Sequence, residues 1–416
     1  MKTVKLLIIS VLAAVSSFST LKADIWDDFK DKAYNNGLEL GIYGAIFGTS
    51  SINSSSYKSL RGDARAMGTY KIGNFSVTTH YLVSSTYSED SLLRVPLMPG
   101  IKSDKYSLLR LSHISSNKNS LLAQSLDRLV LDYTSVNSHF YVGRTAITWS
   151  RARAFHVVDF FSPQIPGIYD GSYKQGADIA GFSYNILPNH TIEVNVSPKR
   201  DKRNYNITAK DSTFAARYIF TDGVNDYSLF GAQYLRDVGM GAGLSMNFLW
   251  GTVLRVDSSL WQDNTTHKYY SMNVAALERS YLLFNRVWTL FSEFYYNGAG
   301  YNDKRYIGAS LTPIMQRRVL EQATYITGKY YGSLGISAEL SDNISGNLTT
   351  IMNLYDRSNL SYLTLSYNFT NRVSFAIVGS IGLGGKGDEF GKICDINSNN
   401  CSKSVSLLMG SVNVQL

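Results

Sequence analysis

Leu363-Thr364-Leu365-Ser366-Tyr367-Asn368-Phe369-Thr370 switches between apolar and polar at every step. Successive side chains of a β-strand point to opposite faces, so this stretch has one apolar wall and one polar wall. The same period of two recurs along nearly the whole chain. Ile326, Tyr330, Leu334, Ile336 and Leu340 alternate with Thr327, Lys329, Ser333, Ser337 and Glu339. Phe75, Val77 and Tyr81 alternate with Ser76, Thr78 and His80, and Leu129, Leu131 and Tyr133 with Arg128 and Asp132. Ile192, Val194 and Val196 alternate with Thr191, Glu193 and Asn195.

A soluble sandwich shares this alternation, but two features separate the cases. The segments run about 10–13 residues, the length of a strand tilted across a bilayer. The connections also alternate in length. Short ones fall at Lys71–Asn74, Asn137–Ser138, Leu187–Asn189, Thr221–Asn225, Ser341–Asn343 and Thr370–Asn371. Long ones fall at Ser84–Ser125, Ser150–Gly176, Ser197–Asp211, Gly298–Ala323 and Gly384–Lys403. Short turns on one side and long loops on the other is how an outer-membrane barrel is threaded. Tyr70, Phe75, Tyr133, Tyr184, Tyr218, Phe220, Tyr367 and Phe369 all lie near short turns on the apolar face, the place of an aromatic ring at a membrane surface.

The fold class expected is all-β: a transmembrane antiparallel β-barrel over residues 37–416 with about 18 strands, closed so that no edge is left in lipid. The expected starts are near Gly37, Leu60, Asn74, Leu126, Ser138, Gly176, His190, Ser212, Asp226, Val238, Thr252, Lys268, Tyr281, Tyr325, Ile344, Leu360, Arg372 and Ser404. Trp250-Gly251-Thr252 carries no good turn signal, and without a hairpin there the count is about 16, since both chain ends on one side require an even number.

The ends and the composition set the compartment. Met1 to Lys5 is positive, Leu6 to Phe18 apolar and Ser19 to Ala23 small and polar, the plan of a signal peptide over residues 1–23. Its loss removes Lys2, Lys5 and Lys22, lowering the net charge of +8 by three. Residues 24–36, with Ile25-Trp26-Asp27-Asp28-Phe29-Lys30, read either as a short periplasmic amphipathic turn or as a disordered tail. No later run of about 18 apolar residues offers a helical span. Tyr at 29, Phe at 19, Gly at 33 and Pro at only 7 suit long strands, and a mean hydropathy of −0.11 suits a wall that is apolar on one face only. Cys394 and Cys401, in a polar stretch, read as a disulfide closing a small loop, or as a two-ligand metal site with no histidine near.

A barrel of this size holds water, so inward charges set selectivity. Arg61, Arg65, Lys71, Arg128, Arg144, Arg217, Arg255 and Lys329 fall on polar faces against Glu39, Asp63, Asp132, Glu193, Asp257 and Glu339, a weak bias towards anions. The run Gly143-Arg144-Thr145-Ala146-Ile147-Thr148-Trp149-Ser150-Arg151-Ala152-Arg153-Ala154-Phe155 continues through Asp159-Phe160-Phe161 to Tyr169-Asp170-Gly171. A connection this long, with so many apolar residues, needs a surface to pack on. Inside the barrel it is a constriction loop at 150–175, with Arg144, Arg151 and Arg153 facing Asp159 and Asp170. Outside it is a surface loop whose arginines are solvated or bind lipopolysaccharide phosphates.

On these features the chain from residue 24 onward resembles a Gram-negative porin, and the Gly143-Arg144…Trp149…Phe155…Asp159…Phe161…Pro163 run resembles a motif of porin-like outer-membrane proteins. The last strand, with Val412, Val414 and Leu416, is similar to terminal strands of bacterial outer-membrane barrels but lacks their usual aromatic end. The resemblance implies an outer-membrane channel passing small hydrophilic solutes, folded among lipid and lipopolysaccharide, and a possible homotrimer. A surface-binding or adhesion protein using Ser85–Gln124 is the second reading, and a barrel-borne hydrolase resting on His139 a weak third. The six histidines have no metal-ligand spacing, and Gly382-Leu383-Gly384-Gly385-Lys386-Gly387 ends a strand rather than opening a helix. No enzyme activity, cofactor, metal or nucleic acid is expected.

Overall fold

The computed structural model describes residues 38–51, 58–88, 104–117, 119–163, 174–302, 311–321, 323–391 and 406–415. Residues 1–37, Asp170, Cys394 and Cys401 lie outside them, and with them the expected signal segment and the expected disulfide.

The strands are β1 (Leu38–Ser51), β2 (Lys58–Ile72), β3 (Phe75–Ser88), β4 (Ser112–Ser116), β5 (Ser120–Thr134), β6 (Ser138–Thr145) and β7 (Ala177–Leu187). They continue as β8 (His190–Arg200), β9 (Ile207–Thr221), β10 (Asp226–Tyr234), β11 (Asp237–Asn247), β12 (Val253–Gln262) and β13 (Tyr269–Leu283). After β14 (Arg286–Asn297) comes helix α1 (Pro313–Leu320), then β15 (Tyr330–Glu339), β16 (Ile344–Asn353), β17 (Asn359–Asn368), β18 (Val373–Leu383) and β19 (Ser406–Gln415). No helix among the described residues is long and apolar enough to cross a membrane.

All nineteen strands belong to one sheet. Leaving the short β4 aside, each pairs antiparallel with its neighbours in sequence, and β19 returns to β1 (Gly44↔Val414, Ile46↔Val412). The wall is therefore a ring. Parity separates its faces: Leu229, Leu260, Leu290, Leu334 and Ile377 are exposed outside, whereas Ser228, Ser259, Glu293, Ser333 and Val378 are buried inside. An apolar outer wall with every backbone group paired is what a membrane-spanning sheet requires.

Two hairpins turn on bulky residues that carry no turn signal in the sequence. The β11–β12 turn at Leu249–Gly251 exists, with Trp250 at φ 57° and Gly251 at φ 73°, so the sixteen-strand alternative fails. The β13–β14 turn is Phe284-Asn285, with φ 53° and 56°, which moves the expected boundary at Tyr281 to Arg286. Bulky residues seldom adopt positive φ, so Trp250 and Phe284 gave no turn signal. The long-loop end also holds a two-residue turn, Leu235-Arg236, at φ 52° and 74°.

Strand β4 had no place in the expected order. It lies along the upper part of β5 (Ser112↔Ser125, Ser116↔Leu121), above the point where β6 stops pairing at Leu129↔Arg144. Segment 104–116 thus fills a gap left in the wall when β6 turns away.

Candidate pore constriction

The turning point is Gly143, at φ 133°. A Cβ there would lie 2.0 Å from the Leu129 carbonyl oxygen, so only glycine permits the bend. Beyond it the chain crosses the ring. Residues 153–155 reach β14, eight strands further round from β6 and near the opposite wall.

Carboxylates hold the crossing segment by its backbone. Asp159 accepts from the N–H groups of Trp149 (2.6 Å) and Ser150 (2.8 Å). Asp257 on β12 accepts from the Ser150 hydroxyl (2.8 Å) and the Arg151 N–H (3.0 Å). Glu293 on β14 accepts from the N–H groups of Arg153, Ala154 and Phe155 at 2.5, 2.9 and 3.2 Å. Charge-assisted bonds of this kind are stronger than neutral ones and replace the water these buried acids lose. Lys174 pairs with Asp159 from the returning arm. Burial lowers the His156 imidazole to about 4, Asp159 opposing and Lys174 assisting, so it is neutral.

Apolar packing completes the attachment, and the hydrophobic core lies inside the barrel. Phe160 sits among Phe230, Tyr234 and Trp261 at ring distances of 5.2, 5.8 and 5.3 Å. Phe155 stacks on Tyr295 at 5.0 Å, with Tyr331 at 5.9 Å. Room for these rings comes from β11, whose inner face carries Gly239, Gly241 and Gly243. A Cβ on them would lie 2.5 Å from Trp261, 2.5 Å from Phe230 and 2.6 Å from Arg151, respectively.

Two further segments fold inward. Thr312 caps α1, whose Arg317 reaches Asp237 and Asp263, both at 2.7 Å. Its Arg318 lies within 5.8 Å of the ring centroids of Tyr234, Trp261 and Tyr270 and donates to the Tyr270 hydroxyl at 2.9 Å. From the β18–β19 connection, Glu389 accepts from Tyr331 (2.5 Å) and Asn353 (2.9 Å).

The residues expected at a constriction are distributed as follows. Arg153 bonds Glu278 on β13, lies 5.6 Å over the Phe291 ring and keeps 43% of its side chain exposed. Arg255 joins the same Glu278 at 2.9 Å. Arg151 donates to Ser228 at 3.0 Å. Arg217 pairs with Glu193 at 2.8 Å and lies 4.6 Å over Trp149. Asp159 is a backbone clamp rather than a free wall charge. Arg144 is buried in the wall, bonded to Asp178 (2.7 Å), Asp104 (3.3 Å) and the Leu109 carbonyl (2.6 Å), and so fastens segment 104–111. Arg128 pairs with Asp127 at 3.0 Å, and Arg61 with Asp63 at 2.5 Å. Arg65 is buried on β2, and Lys329 stands 5.7 Å over the Tyr296 ring. Glu278, Glu293, Asp178 and Asp104 escaped the sequence reading. The available signal was Phe291-x-Glu293-x-Tyr295: aromatics sharing a face with an acid imply that something packs inside.

No protein-family model matches the sequence, and no curated protein matches it. Solved structures do resemble the fold. Acinetobacter baumannii OccAB4 superposes with a TM-score of 0.55 at 8% identity, over 91% of this chain and 97% of its own. Pseudomonas aeruginosa OccK5 (OpdH) gives 0.53 at 9% identity, over 91% and 98%. Pseudomonas aeruginosa OpdK, solved with vanillate, gives 0.53 at 8%, over 91% and 98%. With a closed antiparallel wall, an apolar exterior and a long connection turned inward, this chain has the porin-like β-barrel fold of those outer-membrane channels.

Proposed function

We propose that the chain is an outer-membrane channel through which small hydrophilic solutes diffuse passively, with a preference for anions. Export through a cleaved signal segment at 1–23 belongs to the same reading. One observation carries it: the segment crossing the ring leaves Arg153 and Arg255 together on a single Glu278, with Arg153 partly exposed. Glu293, beside them, is buried behind backbone N–H groups. The charge presented to the narrowed passage is therefore that of two guanidinium groups sharing one carboxylate, and inward positive charge favours anions. The likeness to OpdK, solved with vanillate, supports a small solute. Segment 104–116 lines the wall, and residues 89–103, the part of Ser85–Gln124 between it and β3, lie outside the described residues.

Planar-bilayer recording tests this. The wild type is expected to give stable open steps and, in a salt gradient, a reversal potential of the sign for anions. Arg153→Gln with Arg255→Gln should move that potential to zero or across it. A sealed barrel, or an unchanged potential in the double variant, would sink the proposal.

A further inference from the structure

The outer wall carries a groove of about 550 Å³ across β13 to β16, lined by Leu277, Leu290, Leu334, Ile336 and Leu348. Its floor is low because Ser292 and Thr350, both small, flank Leu334 in the ladder. Arg279 stands at the short-turn end. Parity with Leu277 and Tyr281 turns it outward, and its guanidinium lies 4.9 Å from the Tyr281 ring. No carboxylate among the described residues pairs with it.

A guanidinium on a lipid-facing wall is costly at the bilayer centre and tolerated at the interface. The register Val253↔Glu278 sets Arg279 beside Thr252, at the end of the turn that projects Trp250, 79% exposed. Arg279 therefore lies at the periplasmic rim of the apolar band, where phosphates of the facing leaflet lie. An apolar groove ending in an unpaired cation at phosphate depth is complementary to one molecule class: an acyl chain joined to a phosphate. Arginine and phosphate form strong paired hydrogen bonds.

We propose that this groove seats one glycerophospholipid of the periplasmic leaflet, its acyl chain between Leu290 and Leu334 and its phosphate on Arg279. The proposal rests on the membrane reading above. Native mass spectrometry of protein extracted from outer membranes in mild detergent tests it, with single-channel conductance of the same preparation reporting a folded barrel. The wild type should retain one phospholipid through detergent exchange, and Arg279→Gln should retain about tenfold less. Ser292→Phe, which fills the floor while leaving Arg279, should also lose it. Arg286→Gln, whose arginine pairs with the solvent-exposed Asp342 at 2.5 Å, should keep it. Lipid retention unchanged in Arg279→Gln, a lipid-free wild type, or a second copy of the chain covering the groove would overturn the proposal. A chain absent from the membrane fraction would overturn the membrane reading and this proposal with it.

Discussion

Glu293 occupies a position where an ionised carboxylate is costly: 4% exposed, on the inner face of β14 between Phe291 and Tyr295. Three backbone N–H groups replace its water. Glu293→Ala leaves those donors without an acceptor, at about 1–3 kcal/mol for each one that stays buried. The ladder of β14 is untouched, so the barrel should assemble while residues 153–155 detach. Single-channel records should then show larger, noisier steps; traces identical to wild type would exclude the clamp. Parity makes Glu293 legible in the sequence as an inward residue. Its role is not legible, because its partners lie 138–140 residues away and backbone N–H groups leave no mark in the sequence.

At the scale of elements, β11 and the crossing segment are shaped to each other. The Gly239-x-Gly241-x-Gly243 spacing reads only as a weak strand, yet it creates the recess that Phe230, Trp261 and Arg151 fill. Gly243 is the cleanest probe, because a Cβ there meets only side-chain atoms, of Arg151, Ser228 and Asp257. Gly243→Val should push Arg151 off Ser228 and weaken the Asp257 contact without blocking β10–β11–β12 pairing. The expected result is a folded, heat-modifiable barrel with altered conductance; loss of folding would place the glycine's role in the wall. The strands themselves were legible wherever alternation was clean, as at Leu363–Phe369. They were not where bulky residues took positive φ, as at Trp250 and Phe284, nor at β4, whose five residues make sense only once β6 has left the wall.

At the scale of the whole molecule, the two sides of the ring have different interiors. Strands β10 to β15 face Trp149, Phe155, Phe160 and Phe161, and their inner side chains, from Phe230 to Tyr331, are nearly fully buried. Strands β2 and β3 carry polar inner residues instead: the Arg61–Asp63 ion pair, itself largely buried, and the half-buried Thr69, Ser76 and Thr78, with no aromatic ring packed over them among the described contacts. A period of two predicts one apolar and one polar face per strand, so it made the outer wall legible and concealed that half the inner wall is also apolar. Both sides have complete ladders and meet the same lipid, so any difference in backbone protection must come from inside. Amide exchange from a barrel in lipid proceeds through water in the lumen and needs local opening. Ser228, Ser259 and Glu293 lie on strands whose inner faces are sealed by rings, while Thr69 and Thr78 do not. Hydrogen exchange in bilayer discs should therefore be slower along β10–β15 than along β2–β3 by about tenfold or more, the ratio for an added 1.4 kcal/mol of opening free energy. Glu293→Ala should narrow that gap by loosening the segment that seals the dry side. Equal protection around the ring would mean that the aromatic core inside the barrel adds nothing to the stability of its wall.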